Sequence, residues 1–126
     1  MQNRTIVGSR EKPGGGFELW SWFFMRISGI FIIFLVLGHL LIMHLIYGIE
    51  QIDYDFVVSR LSSPFWKTYD ALLLGLALLH GANGIRILMD DYIHKKGWLF
   101  FWYTLLFTVT TITFFMGLQV LLTFPK

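Results

Sequence analysis

The stretch ISGIFIIFLVLGHLLIMHLIY, residues 27–47, contains no Asp, Glu, Lys or Arg. A helix needs about 20 mainly apolar residues to cross the hydrocarbon core of a bilayer, so this stretch is long enough to span it. The apolar segment extends back to Trp20, and two more segments of the same kind follow at residues 69–88 and 97–123. The sequence therefore predicts an all-α membrane protein with three transmembrane helices.

The composition agrees with a lipid environment. Of 126 residues, 56% are hydrophobic and only 14% are charged, whereas an ordinary soluble domain has about 25% charged residues. There is no cysteine, so disulfides and thiolate ligands are excluded, and a bound metal would need His or oxygen ligands. The net charge of +2 is small and dispersed, which excludes nucleic-acid binding.

We predict two regions along the chain. Residues 1–16 form a polar, flexible N-terminal tail, and residues 17–126 form a three-helix membrane anchor with helices at about 20–47, 64–93 and 97–123. Ser63-Pro64 is typical of a helix start, so the second helix should begin before its lipid-crossing part. The first apolar segment lacks a small-residue cleavage site, and we expect it to be retained.

Basic residues predict the orientation in the membrane. On the side of the N-terminus and the second loop lie Arg4, Arg10, Lys12, Arg26, Arg86, Lys95 and Lys96, and on the other side lie Arg60, Lys67 and Lys126. Because basic residues are enriched in cytoplasmic loops, the N-terminus is predicted to be cytoplasmic.

Polar groups inside the apolar segments point to function, because they are costly in lipid. On the second helix His80, Gly84 and Asp91 fall on one stripe, with Asp91 about 16 Å nearer the cytoplasm. The small residues around His80 permit either tight helix packing or the close approach of a porphyrin. The third helix carries only hydroxyls and Gln119, so we expect it to serve in packing.

One hypothesis is that His80 ligates haem iron in mid-membrane. A polar pocket of Ser21, Arg26, Asp91 and Tyr92 would lie near the cytoplasmic face, because the first two helices are antiparallel and bring these residues to the same end. The phenol could then donate a hydrogen bond to a quinone, with Arg26 stabilising negative charge. The alternative is that the imidazole bonds another helix and that Arg26 and Tyr92 are interfacial anchors.

The run HGANGIRILMDDY, His80 to Tyr92, resembles the second transmembrane helix of the D-type membrane-anchor subunit of succinate dehydrogenase. The run FELWSWFFMRISG, residues 17–29, is similar to the first helix of this subunit, and the actinobacterial type of anchor is the most similar. The resemblance implies that His80 is an axial ligand of haem b, Tyr92 a hydrogen-bond donor to the quinone and Asp91 its neighbour. It also implies that Arg26 contacts a haem propionate or the quinone. Gly84 and Ser21 are further candidates for cofactor binding.

The resemblance also implies a subunit rather than a complete enzyme. This chain would form half of a haem-binding helical bundle in the bacterial inner (cytoplasmic) membrane, with a second anchor, an iron–sulfur subunit and a flavoprotein. The quinone would be menaquinone or ubiquinone, and the oligomeric state, a trimer included, stays open. His44, or else His39, would be an extra ligand in a two-haem complex, although we expect one haem.

Two hypotheses from other classes remain at this stage. In the first, the chain is a small proton-conducting transporter or channel subunit without a cofactor, in which His80 and Asp91 carry protons. In the second, it is a structural anchor or assembly factor. Bound haem would distinguish the haem-binding membrane anchor from both of these alternatives.

Overall fold

The computed structural model describes residues 16–124, and nearly all of them are helical. The elements are α1 (Phe17–Leu40), continued by a π-helical segment (Leu41–Ile46), a short turn of 3₁₀-helix (Ile49–Gln51), α2 (Tyr54–Ser62), α3 (Pro64–Tyr92) and α4 (Lys96–Thr123). Three helices are long and apolar enough to cross a membrane: α1 with its continuation, α3 and α4. The predicted fold, all-α with three transmembrane helices, is confirmed.

The helix bounds differ in detail from the predicted ones. The first helix already begins at Phe17, and the last begins at Lys96. The short helix α2 was not predicted; Asp53 caps it, accepting a hydrogen bond from the backbone N–H of Phe56 at 2.8 Å. The predicted N-terminal tail lies outside the described residues, apart from Gly16.

The central helix is α3, which packs against α1, α2 and α4. It begins as the sequence predicts, with Pro64 at its first position and Ser63 in the extended conformation that a residue before proline prefers. The Ser63 side chain itself makes no capping hydrogen bond. Small residues bring α3 and α4 together: a Cβ on Gly75 would lie 3.6 Å from the ring of Phe114.

The interior of the described bundle is more polar than its surface. Within residues 16–124, the buried apolar residues are Leu61 and Ala82, whereas most large apolar side chains are exposed. The buried polar residues are Ser21, Ser28, Arg60 and Arg86. In lipid, helices associate through close packing and hydrogen bonds rather than through the hydrophobic effect. The exposed apolar faces are therefore surfaces for lipid or for partner helices.

Candidate functional site

His80 lies near the middle of α3 and faces α1. Its Nδ1 is 2.8 Å from the hydroxyl oxygen of Ser28, which is only 2% exposed. The same hydroxyl donates to the backbone carbonyl of Phe24 at 2.6 Å. His80 Cε1 lies beside α1, 3.4 Å from the position that a Cβ on Gly29 would take. No described residue forms a hydrogen bond with the other ring nitrogen, Nε2.

A second polar group, called the arginine cluster below, joins three helices at the end of the bundle where α1 begins. It comprises Glu18, Ser21, Asn83, Arg86, Asp90 and Tyr103. Arg86 is its centre and is 7% exposed. Its guanidinium donates to both carboxylate oxygens of Glu18, at 3.0 and 3.2 Å, and to the hydroxyl of Ser21 at 3.0 Å. The two hydrogen bonds of this bidentate pair fix the relative position of α1 and α3, in addition to the attraction between opposite charges.

The remaining contacts of the arginine cluster lie within α3 and between α3 and α4. Arg86 Nε donates to Asn83 Oδ1 at 3.0 Å, and Nη1 lies 3.4 Å from Asp90 Oδ2. The hydroxyl of Tyr103 on α4 donates to Asp90 Oδ1. The third transmembrane helix therefore contributes a polar contact, beyond the packing role that its composition predicted.

The predicted quinone residues lie on the surface at this same end. Tyr92 is 79% exposed, and Asp91 directly before it is also exposed. Arg26 is exposed on α1, where its guanidinium stacks over the ring of Trp22 at 3.6 Å from the centroid. No hydrogen bond or ion pair among residues 16–124 joins Arg26 to Asp91 or Tyr92.

The packing of α1 on α3 explains why Arg26 does not meet Asp91. Met25, next to Arg26, faces Gly84, where a Cβ would lie 3.6 Å from the Met25 methyl. Asp91 lies seven residues beyond Gly84, which is about 10 Å along the helix axis. The backbone of Arg26 is therefore closer in depth to His80 than to Tyr92, while its guanidinium stacks on Trp22, one turn towards the start of α1.

Two other predicted cofactor residues take part in contacts within the chain. Ser21 is buried and exchanges hydrogen bonds with Asn83 and Arg86. Gly84 faces α1 through Met25. At Gly84 the contact favours tight helix packing, one of the two alternatives that the sequence left open for the small residues around His80.

The two first-helix histidines lie towards the opposite end. His39 Nδ1 is buried without a hydrogen-bond partner, 3.7 Å from Asp70 Oδ1. Asp70 is itself bound by Arg60, whose Nε and Nη2 donate at 3.3 and 2.9 Å. His44 lies in the π-helical segment and lines an apolar groove of about 640 Å³ with residues of α1 such as Phe34 and Leu37.

Sequence analysis missed Ser28, Asn83 and Tyr103 as partners of the residues it singled out. All three are small or neutral polar residues inside apolar segments, which is the only signal the sequence offered. The sequence indicated Arg86 only as one of the basic residues on the cytoplasmic side, yet it is buried in the arginine cluster. Its position six residues after His80, on the same helix, was the available clue.

A three-span helical bundle with an imidazole in mid-membrane and polar residues at one surface defines a polytopic membrane subunit. Comparison with known proteins makes this specific. Residues 1–115 match the family model of the succinate dehydrogenase/fumarate reductase transmembrane subunit. The chain belongs to this family. It is a membrane anchor of a succinate:quinone oxidoreductase complex and not the catalytic subunit itself.

Three relatives agree with this assignment. The chain is 33% identical over 104 residues to the succinate dehydrogenase hydrophobic membrane anchor subunit of Archaeoglobus fulgidus, covering 80% of this chain and 86% of the relative. It is 27% identical over 75 residues to the protein of the same name from Thermoplasma acidophilum, covering 59% and 61%. It is 32% identical over 89 residues to succinate dehydrogenase 2 membrane subunit SdhC of Mycobacterium tuberculosis, covering 71% and 60%. Membership of the succinate dehydrogenase membrane-anchor family is thus confirmed. The assignment to the D-type subunit rests on the resemblance alone.

Proposed function

We propose that this anchor supplies one axial imidazole, from His80, to a haem b and contributes Tyr92, Asp91 and Arg26 to the surroundings of the haem and the quinone. Electrons would reach this region from the iron–sulfur subunit of succinate dehydrogenase. The observation that carries the proposal is the position of His80: a mid-membrane imidazole whose Nδ1 is held by Ser28, with no described partner at Nε2.

The donor set suits a porphyrin better than a bare ion. Among residues 16–124 there is no group of three or more His, Asp or Glu side chains that could hold a metal. His80 would therefore be the single protein ligand to haem from this chain, and a further ligand would come from a second anchor subunit. When bound, haem b supplies one-electron transfer.

Arg26 fits the haem side of the proposal. The backbone of Arg26 lies on α1 close in depth to His80, and its exposed guanidinium can bind a propionate as a charge-assisted pair. The stacking on Trp22 holds the side chain at the bundle surface without using its N–H donors.

Tyr92 and Asp91 fit the quinone side. The hydroxyl of Tyr92 is not engaged by any described residue and can donate a hydrogen bond to a quinone carbonyl oxygen. Asp91 can accept hydrogen bonds from water and relay protons towards the phenol. Because both are exposed on this chain, the pocket would be completed by the second anchor and the iron–sulfur subunit, with menaquinone or ubiquinone as the substrate.

The remaining parts of the proposal follow from the family. The complex would sit in the cytoplasmic (inner) membrane with the N-terminus of this chain inside, and a flavoprotein would oxidise succinate in the tricarboxylic acid cycle. A trimer of complexes is compatible with the extensive exposed apolar surface. The family match gives no support to the alternative of a proton-conducting transporter subunit.

The test is a reduced-minus-oxidised visible spectrum of the purified complex, with haem quantified per copy of this chain. We expect a b-type spectrum in the wild type and its loss in His80→Ala. His94→Ala is the matched control, because His94 lies in the exposed loop after α3. A wild-type complex without haem, or a His80→Ala complex that keeps its haem, would disprove the haem assignment.

The same quantification decides between one haem and two. We expect one haem per chain, unchanged in His39→Ala and in His44→Ala. A value near two that falls to one in either variant would show a second haem ligated from α1.

A further inference from the structure

The hydrogen bonds around Ser28 have only one consistent direction. A serine hydroxyl carries a single proton, and Ser28 Oγ lies 2.6 Å from the carbonyl oxygen of Phe24 and 2.8 Å from His80 Nδ1. Two oxygens at 2.6 Å require a hydrogen between them, and a carbonyl cannot provide it. The hydroxyl therefore donates to Phe24, and its oxygen accepts the proton of Nδ1.

This direction fixes the tautomer of His80. A neutral imidazole carries one N–H, and here that proton is on Nδ1. The lone pair of Nε2 is then free, which is the form of the ring that binds a metal. If Ser28 instead donated to Nδ1, the ring proton would be on Nε2, and it would have to leave that nitrogen before Nε2 could bind a metal.

The contact is also rigid and dry. Ser28 is 2% exposed, so water has no access to replace its hydroxyl. The local bond from Ser28 to the carbonyl four residues earlier is a common helical arrangement and anchors the hydroxyl to the backbone of α1.

We propose that Ser28 is the positioning residue for the axial ligand: it holds His80 as the Nδ1–H tautomer and directs Nε2 towards the iron. This inference rests on the proposed function, in which Nε2 of His80 binds haem. Ser28 acts through the histidine and does not touch the haem itself.

The hydrogen bond has an electronic consequence for a bound haem. An Nδ1–H that donates to an acceptor makes Nε2 a stronger donor to iron, which favours the ferric state. Removing the acceptor should therefore weaken haem binding and shift the haem midpoint potential to a more positive value. A loss of about 10- to 100-fold in haem affinity is typical when such an outer partner is removed.

The experiment compares Ser28→Thr with Ser28→Val in the purified complex. Threonine and valine have nearly the same shape, and both add a methyl group in the same tight space, but only threonine keeps the hydroxyl. Haem per complex, hemin affinity of the haem-depleted complex and the midpoint potential are measured for both, beside His80→Ala. Thr104→Val is the control, since Thr104 makes the same kind of bond to its own helix, to Phe100, without a histidine.

We expect Ser28→Val to bind haem more weakly and at a more positive potential than Ser28→Thr, with Thr104→Val unchanged. If Ser28→Val and Ser28→Thr match each other in affinity and potential, while His80→Ala has no haem, the role of Ser28 is disproved and the proposed function stands. If His80→Ala retains haem, both proposals fail.

Discussion

The guanidinium of Arg86 on α3 binds both carboxylate oxygens of Glu18 on α1, at 3.0 and 3.2 Å. The two partners are in unequal surroundings, because the side chain of Arg86 is 8% exposed and that of Glu18 is 60% exposed. The pair holds the start of α1 against α3 at the end of the bundle where Asp91 and Tyr92 lie. The stability of this end of the bundle should therefore depend mainly on the arginine.

Removing the arginine should cost more than removing its carboxylate partner. Glu18→Gln removes an exposed carboxylate but leaves Asp90 as a counter-charge 3.4 Å from Arg86, and should cost about 1 kcal/mol. Arg86→Gln also removes the hydrogen bonds to Ser21 and Asn83, and should cost about 2–3 kcal/mol. Thermal unfolding of the purified complex, followed by far-UV circular dichroism, measures both effects.

Two further variants sharpen this test. Arg86→Lys keeps the charge but lacks the planar fork, so it should fall between wild type and Arg86→Gln. Lys95→Gln removes an exposed cation just after α3 and should leave stability unchanged. Equal losses for Glu18→Gln and Arg86→Gln would show that the ion pair alone, and not the arginine cluster, holds the helices.

A second prediction concerns the contact between Gly38 and Tyr69. The Tyr69 hydroxyl donates to the carbonyl of Leu35 on α1, and a Cβ on Gly38 would lie 2.7 Å from that hydroxyl. Gly38→Ala should therefore displace the tyrosine and cost about 1–3 kcal/mol. Tyr69→Phe loses the hydrogen bond and should cost about 1 kcal/mol.

The double variant separates the clash of the added methyl group with Tyr69 from any effect of alanine on the helix itself. Without the hydroxyl, the nearest ring atom, Cζ of residue 69, is 3.8 Å from the added Cβ, so Gly38→Ala/Tyr69→Phe should be no less stable than Tyr69→Phe alone. Gly97→Ala is the control, because a Cβ there meets nothing within 4 Å. Additive losses in the double variant would contradict this interpretation.

The sequence predicted the three long helices because length and hydropathy alone decide whether a segment spans a bilayer. It also predicted that α3 starts at Pro64, since proline favours the first position of a helix. Helix α2 was missed because it is short and lies between two much stronger apolar signals. Its start depends on a single local hydrogen bond, from Phe56 to Asp53.

The partners within the site could not be predicted, because they depend on how α1 and α3 are aligned. Antiparallel order places Arg26 in the same half of the membrane as Asp91, but the actual offset is set by contacts such as Met25 with Gly84 and Ser28 with His80. Hydrophobic periodicity gives little help here, since α1 is apolar on nearly every side. For the same reason Ser28 could not be distinguished from other small polar residues as the partner of His80.

A third prediction tests the ion pair at the opposite end. Arg60 is 8% exposed, donates two hydrogen bonds to Asp70 and stacks over Trp66 at 4.2 Å from the ring centroid. Asp70→Asn would leave the guanidinium buried without its counter-charge, and should cost about 2–4 kcal/mol in the same thermal assay.

Asp55→Asn is the matched control for this variant. Asp55 is exposed in the first turn of α2, close in sequence to Arg60, and forms no ion pair with any described residue. It should lose at most a few tenths of a kcal/mol from its interaction with the helix dipole. If Asp70→Asn is as stable as Asp55→Asn, the pair does not stabilise the docking of α2.

The fourth prediction separates the quinone site from the haem site. Tyr92 is 79% exposed and its hydroxyl bonds no described residue, so Tyr92→Phe should leave the fold and the haem content unchanged. If the phenol donates to the quinone, succinate:quinone reductase activity should fall about 100-fold or more, as expected for loss of a general acid. Succinate oxidation with an artificial acceptor that takes electrons before the quinone should be retained.

Tyr54→Phe is the control for this prediction, because Tyr54 is 70% exposed and lies in α2, at the opposite end of the bundle. It should retain full quinone reduction. Equal activity in Tyr92→Phe and Tyr54→Phe would remove Tyr92 from the site while leaving the haem proposal intact. A loss of haem in Tyr92→Phe would instead show that the end of α3 supports the haem pocket, and that the two sites cannot be separated at this residue.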